Sequence, residues 1–129
     1  MIDTDIVIYS LKNNTTVVEN FRKFINIPKS LSVITYGELV FGARKSQNVE
    51  KNLATVRRIK ELFPIVDISP AIVETFGELK AALQTRGSPL DDMDLLIAST
   101  AMTHGLILVT NNERHFSRVA GLELVNWSK

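Results

Sequence analysis

The sequence contains no cysteine, which excludes disulfide bonds and thiolate metal sites. It has no stretch approaching the roughly 20 apolar residues that a membrane-spanning helix needs. Its N-terminus lacks the basic segment and apolar run of a signal peptide. Low-complexity tracts, internal repeats and linkers are absent as well. From these absences we expect one domain over residues 1–129, cytoplasmic and without membrane contact.

Neither sign of charge is in large excess. The formal net charge is +1, with 22% charged and 45% hydrophobic residues, which is typical of a globular chain and excludes a polycation. Binding to nucleic acid would therefore depend on local basic patches, such as the basic residues within 51–60 or the pair Arg44 and Lys45. The alternative is that these charges form a solvated helix face.

Apolar runs alternate with helical periodicity along the whole chain, a pattern that predicts an α/β fold. Strands are predicted from Ile2 and over 31–34, 65–68, 106–109 and 122–125, and helices over about 17–25, 35–45, 49–63, 70–86 and 91–104. The segment 6–11 fits a strand, a helix or the passage between them. We expect a three-layer sandwich in which helices flank a short, mostly parallel central sheet, with 106–109 as a central strand.

Three carboxylates and one amide stand where a predicted strand or loop meets a helix: Asp3, Glu38, Asp94 and Asn112. Ligands of parallel sheets collect at the carboxyl ends of the strands, where side chains from distant segments point at one place. Carboxylates gathered there repel one another unless a hard cation lies between them. The pattern therefore predicts a magnesium or manganese site, and such sites usually act on phosphate.

Each of the four positions also has a purely structural explanation. Thr35 and Glu38 have the spacing of a capping box, in which Glu38 would bond back to the Thr35 amide. Asp94 would complement a helix dipole, and Asp3 would be a solvated turn residue near the chain end. Asn112 lies in a sequence typical of a turn. The joint placement of the four residues favours a site over these separate explanations.

The motifs together resemble the PIN-domain family, and within it the VapC-type toxins of bacterial toxin–antitoxin pairs. The matching segments follow the family's order over nearly the whole chain: Asp3-Thr4-Asp5-Ile6 with Tyr9, 32–39 with Gly42, 94–98, 108–112 with Phe116, and 119–122 with Asn126-Trp127. By this resemblance Asp3, Glu38 and Asp94 take the places of the family's three core acidic residues. Asn112 takes the place at which many members have a fourth acid.

The resemblance implies a metal-dependent endoribonuclease that hydrolyses RNA phosphodiester bonds with Mg²⁺ or Mn²⁺ and leaves a 5′-phosphate and a 3′-hydroxyl. Asp3 and Asp94 would be the main metal ligands. Glu38 would be a third ligand, directly or through water, or the group that orients the attacking water. The candidates for hydrogen bonds that support these groups are Thr110, Asn112, Thr4 and Asp91.

The resemblance also implies partners: an RNA substrate, often transfer RNA, a cognate VapB-type antitoxin, and a second copy in a homodimer. Two departures from the family pattern bear on the site. Asn112 carries no charge, so a second metal would bind weakly or only when RNA phosphate completes its shell. Family members often have a few more residues before the first acid, so the first strand is expected to be short or to begin upstream of Met1.

Three other functions remain open from the sequence. A non-catalytic PIN-like module would bind RNA or a partner without cutting, as the uncharged Asn112 would allow. His104 and His115 would suit a metal-free ribonuclease that leaves a cyclic phosphate, although His104 fits a helix end and His115 a surface turn. A DNA-directed flap nuclease is disfavoured, because the chain lacks room for a helical arch.

Overall fold

The first three residues of the chain lie in the middle of the molecule, as a computed structural model describing residues 1–129 shows. Ile2 pairs in parallel with Val109. On that side the Val109 amide donates to the Met1 carbonyl at 2.8 Å, and the Asp3 amide donates to the Val109 carbonyl at 2.9 Å. On the other side the Ile2 amide donates to the Ser30 carbonyl at 2.9 Å. The segment 1–3 therefore joins two strand pairs.

Both strand pairs are parallel and very short. The strands are β1 Leu31–Ser32, β2 Ile65–Val66, β3 Leu108–Val109 and β4 Leu124–Val125. β1 pairs with β2, and β3 pairs with β4. The parallel central sheet predicted from the sequence is confirmed, but each strand covers only two residues of its predicted range.

Seven helices surround these strands. They are α1 Thr4–Leu11, α2 Thr15–Lys23, α3 Val33–Arg44, α4 Val49–Leu62, α5 Pro70–Thr85, α6 Asp92–Thr103 and α7 Glu113–Phe116. The segment 6–11 is therefore helical. None of the helices is long and apolar enough to cross a bilayer.

The predicted strand over 31–34 is wrong in its second half. The Ser32 hydroxyl accepts a hydrogen bond from the Ile34 amide at 3.0 Å, which caps α3 and starts the helix at Val33. A capping residue holds extended backbone while the next residues turn helical, so the strand ends at Ser32. This early start places Glu38 in the second turn of α3.

The two faces of the strands carry two separate apolar cores. Successive strand residues point to opposite faces, so Ile2 and Val109 pack into one core while Met1 and Leu108 pack into the other. The first core is covered by α1 to α4, and the second by α5, α6 and α7. The result is the predicted three-layer arrangement of helices, strands and helices.

Helix α6 is buried along its middle, at Leu95 and over residues 97–101. Its Ser99 and Thr100 hydroxyls are buried with it, and they donate to the carbonyls of Leu95 and Leu96 at 2.6 and 2.7 Å. A buried hydroxyl without a partner would be destabilising. The helix is thus a rigid support for the acidic residues in its first turn.

The basic residues within 51–60 lie exposed along α4. Exposure fits both a solvated helix face and a patch that binds nucleic acid, so both explanations stay predictions.

Candidate functional site

Asp3 ends the central segment 1–3 and caps the helix that follows. Its Oδ1 accepts a hydrogen bond from the Thr4 amide at 2.8 Å, and its Oδ2 accepts one from the Thr110 hydroxyl at 2.7 Å. The residue is only 6% exposed. Asp3 is therefore not a solvated turn residue, because the passage from strand to helix buries its carboxylate between two parts of the chain.

The pKa of the Asp3 carboxyl is raised to about 7, mainly by burial and secondly by the negative charge of Asp5. The hydrogen bonds from Thr110 and Thr4 oppose this rise, and the charge of Asp94 adds a smaller increase. No Lys or Arg pairs with Asp3, since the lysine ion pairs of the structure are Lys80–Asp92 and Lys129–Glu113. The site holds more negative charge than its own side chains neutralise.

Glu38 is fixed to the same place by Thr4. The Thr4 hydroxyl lies 2.7 Å from Glu38 Oε1 and 3.2 Å from the Thr35 hydroxyl. The capping-box explanation of Glu38 is wrong, because Ser32 caps α3 and Thr35 lies inside the helix. Glu38 is therefore available to the site.

Asp94 approaches from the first turn of α6. The cap of this helix is Asp91, whose Oδ2 accepts a hydrogen bond from the Met93 amide at 3.1 Å. Asp94 is thereby left without a capping role, and its Oδ2 lies 3.6 Å from Nδ1 of His115. Burial raises the pKa of Asp94, the charge of Asp91 adds to the rise, and His115 opposes it.

Asn112 connects the two sides of the site. Its backbone amide donates to the Thr110 hydroxyl at 2.9 Å, and its side-chain Nδ2 lies 3.0 Å from Nδ1 of His115. One chain of contacts therefore links all four predicted residues, in the order Glu38, Thr4, Asp3, Thr110, Asn112, His115 and Asp94. The segments that carry these four residues are therefore neighbours in the fold.

Asp5 and His115 belong to this site, although the sequence analysis did not place them there. Asp5 Oδ1 accepts from the Ile6 amide at 2.7 Å and Oδ2 from the Asn111 amide at 3.1 Å. Burial raises the pKa of Asp5. The sequence offered one signal that Asp5 belongs to the site, namely its position two residues after Asp3. No signal in the sequence placed His115 beside Asp94, because His115 reaches Asp94 only through the short helix α7.

The histidine-only mechanism does not fit this geometry. His104 is the C-cap of α6, whereas Asp94 lies in its first turn. Ten residues of helix separate them, which at 1.5 Å per residue is roughly 15 Å. His115 lies beside Asp94, so the two histidines stand near opposite ends of α6.

The donor set fits a hard divalent cation in its chemistry. Asp3, Asp5, Glu38 and Asp94 offer only oxygen ligands, which Mg²⁺ and Mn²⁺ prefer. As the side chains stand, however, no three His, Asp or Glu residues converge on a point from which they would hold one ion. The assignment of Asp3, Asp94 and Glu38 as ligands of a shared ion stays a prediction.

Comparisons with known proteins agree with the fold over its whole length. Residues 1–122 match the family model described as PIN domain. The chain is 37% identical over 128 residues to the tRNA(fMet)-specific endonuclease VapC of Shigella flexneri, covering 99% of this chain and 97% of that protein. It is 39% identical over 129 residues to ribonuclease VapC2 of Haemophilus influenzae, covering 98% and 96%.

Solved structures with the same fold include toxin–antitoxin complexes. VapBC2 from Rickettsia felis, bound to a DNA fragment from its promoter, matches with a TM-score of 0.91 and 32% identity over 98% of this chain and 97% of that one. VapBC-1 from nontypeable Haemophilus influenzae matches with a TM-score of 0.91 and 29% identity over 100% and 98%. The chain therefore belongs to the PIN-domain family and, within it, to the VapC type.

Proposed function

We propose that this chain is an endoribonuclease, the toxin of a toxin–antitoxin pair, which hydrolyses RNA phosphodiester bonds with the help of Mg²⁺ or Mn²⁺. The observation that carries the proposal is the buried Asp3, which Thr4 links to Glu38 and Thr110 links to Asn112, beside further carboxylates that no Lys or Arg pairs with. The relatives named VapC ribonucleases support the reaction class.

The proposed ligands are Asp3 and Asp94, with Glu38 as a third ligand or as the group that orients water. Mg²⁺ needs only one or two protein carboxylates, because it keeps several waters. A bound ion would supply a water of lowered pKa and neutralise charge on the phosphate. The chain's own residues fix the geometry, since Thr110 orients Asp3 and Thr4 orients Glu38.

The proposed partners follow from the relatives. Transfer RNA is the first substrate to test, because the Shigella flexneri relative is named for cleavage of one transfer RNA. The VapBC structures support a VapB-type antitoxin, which would inhibit most simply by placing a basic side chain among the carboxylates. We further propose that the protein acts in the cytoplasm as a homodimer.

A non-catalytic module remains the second candidate, because Asn112 replaces an acid. Asp5 weakens this alternative, since it returns a negative charge to the neighbourhood of Asp3. Tight RNA binding without metal-dependent cleavage would favour the module over the enzyme.

Removing either proposed ligand should abolish cleavage. Asp3→Asn and Asp94→Asn should each lower kcat/KM by more than the roughly 10- to 100-fold that is typical when a metal ligand loses its supporting group. The measurement is cleavage of purified transfer RNA, with EDTA and with Mg²⁺ or Mn²⁺ restored. The matched control is Glu61→Gln, an exposed acid on α4. Activity that survives EDTA, or products ending in a cyclic phosphate, would contradict the mechanism.

Asp5 should contribute charge to ion binding. Asp5→Asn keeps an oxygen for the Asn111 amide but removes the charge, so we expect Mn²⁺ affinity to fall by roughly 10-fold or more. Isothermal titration calorimetry measures this without any substrate. Asn112→Asp is the reciprocal variant and should strengthen binding. Unchanged affinity in Asp5→Asn would show that this carboxylate serves only to tie the loop to α1.

The raised pKa of Asp3 should make stability fall with rising pH when no metal is present. The carboxyl has a pKa of about 7 in the folded chain and an ordinary value of 3.8. Between these values the folded state binds more protons than the unfolded state, so the free energy of unfolding decreases through this window and levels off above it. Asp3→Asn removes the effect and should melt several degrees above the wild type at about pH 8 in EDTA.

The melting temperatures at about pH 4 supply the internal reference, because at that pH Asp3→Asn should no longer melt above the wild type. Asp67→Asn, at an exposed position, should follow the wild-type profile. Mg²⁺ added at about pH 8 should raise the melting temperature of the wild type but not of Asp3→Asn. A wild-type melting temperature that does not change over this window in EDTA would be incompatible with the buried, proton-binding carboxyl.

A further inference from the structure

A groove of about 310 Å³ begins at Glu38 and lies between α3 and α6. Its walls are mostly apolar, and the lining residues are Val33, Ile34, Gly37, Glu38, Phe41 and Met93. The space beside Gly37 is open, since a Cβ built on it would meet no atom within 4 Å. The groove therefore leads from the carboxylate site across a surface that no part of this chain covers.

Phe41 is the most exposed side chain of this groove. The residue is 66% exposed and follows Glu38 by three positions, so both lie on one face of α3. Met93, from the first turn of α6, is 49% exposed on the opposite wall. A phenylalanine ring in this position contributes little to the core, and it lies one helical turn from a proposed active-site residue.

Two basic residues at the end of α3 follow Phe41, and one of them lies beside its ring. Nζ of Lys45 lies 5.6 Å from the centroid of the Phe41 ring. Arg44 and Lys45 together end α3, so this end of the groove is basic while the Glu38 end is acidic. Proteins that bind single-stranded nucleic acid combine aromatic rings, on which bases stack, with basic side chains that follow the backbone.

We propose that Phe41 is the stacking platform for one unpaired RNA base next to the scissile phosphate. The proposal rests on the proposed ribonuclease function and deepens it. Phe41 receives the face of the base, Met93 forms the facing wall, and Lys45 attracts the backbone phosphate beyond it. The substrate is therefore a single-stranded or loop segment of RNA, since a base inside a duplex is stacked on both faces.

RNA fits this groove better than an apolar peptide because of the charges at its two ends. The carboxylates around Asp3 repel a polyanion, so a substrate needs favourable contacts just outside them. Phe41 supplies a stacking surface for a base, and the neighbouring Lys45 supplies a cation for a phosphate. Base and phosphate are the two groups that each nucleotide presents. An inhibitory antitoxin segment in the same groove is the competing occupant, and the experiment below separates the two.

The first measurement uses an RNA oligonucleotide that spans a cleavage site mapped by sequencing the products. Phe41→Ala and Phe41→Leu should lower kcat/KM by roughly 5- to 150-fold, the range expected for the loss of one stacked base. Phe41→Trp should retain activity, since it keeps the aromatic face. The control is Leu62→Ala on α4, because Leu62 is also 66% exposed. Equal activity of Phe41→Ala and the wild type would overturn the proposal.

The second measurement replaces the nucleotides around the cleavage site one at a time by abasic nucleotides. At one position the abasic substitution should slow the wild type but cause no further loss in Phe41→Ala, because both changes remove the same stack. Losses that multiply at every position would overturn the proposal. Loss of antitoxin binding in Phe41→Ala, with RNA cleavage unchanged, would assign the groove to the protein partner instead.

Failure of the ribonuclease function itself would show separately, as absence of metal-dependent cleavage by the wild type. Binding of the same oligonucleotides to the Asp3→Asn background, followed by fluorescence anisotropy, tests the platform without cleavage. The dissociation constant should rise when Phe41→Ala is added to that background and stay unchanged with Leu62→Ala. Equal dissociation constants for these two double variants would overturn the stacking proposal on their own.

Discussion

The site depends on the burial of one carboxylate, that of Asp3, at the end of a strand-like segment in the middle of the molecule. Residues 1–3, which form this segment, hydrogen-bond to the chain on both sides of it and contribute side chains to both apolar cores. The chain therefore places Asp3 without freedom to move away from Asp5 and Asp94. Its raised pKa is the cost of that placement, and a bound divalent cation would relieve it.

Hydroxyl and amide groups transmit this constraint to the other acids. Thr4, which follows Asp3, reaches Glu38 across 34 positions of sequence, and Thr110 connects Asp3 to the loop that carries Asn112. These contacts orient the side chains but do not bring three acids around a single point. The proposed Mg²⁺ would therefore have to keep part of its water shell, which is its usual state in proteins.

The sequence was sufficient to predict most helices from their apolar periodicity and their terminal residues, and the parallel sheet from short apolar runs that alternate with them. It also indicated Asp3, Glu38, Asp94 and Asn112, since each was predicted near a junction between elements, although Glu38 lies in the second turn of α3. The helix over 6–11 was left open because its start depends on Asp3 acting as a cap. The place of His115 beside Asp94 was not predicted, because this contact exists only after α7 and α6 have packed together. The groove beside Phe41 was not predicted for the same reason, since its two walls come from helices that are far apart in sequence.

The protonation state of the Asp3 carboxyl in solution tests the account most directly. Carbon-13 NMR of aspartate-labelled protein, assigned with Asp3→Asn, follows that carboxyl through a pH titration. In EDTA we expect its midpoint at about pH 7, and in saturating Mg²⁺ we expect the midpoint to fall, because the cation competes with the proton. A midpoint near the ordinary value of 3.8 in EDTA, or a midpoint that Mg²⁺ leaves unchanged, would contradict the claim that Asp3 is the buried ligand of the ion.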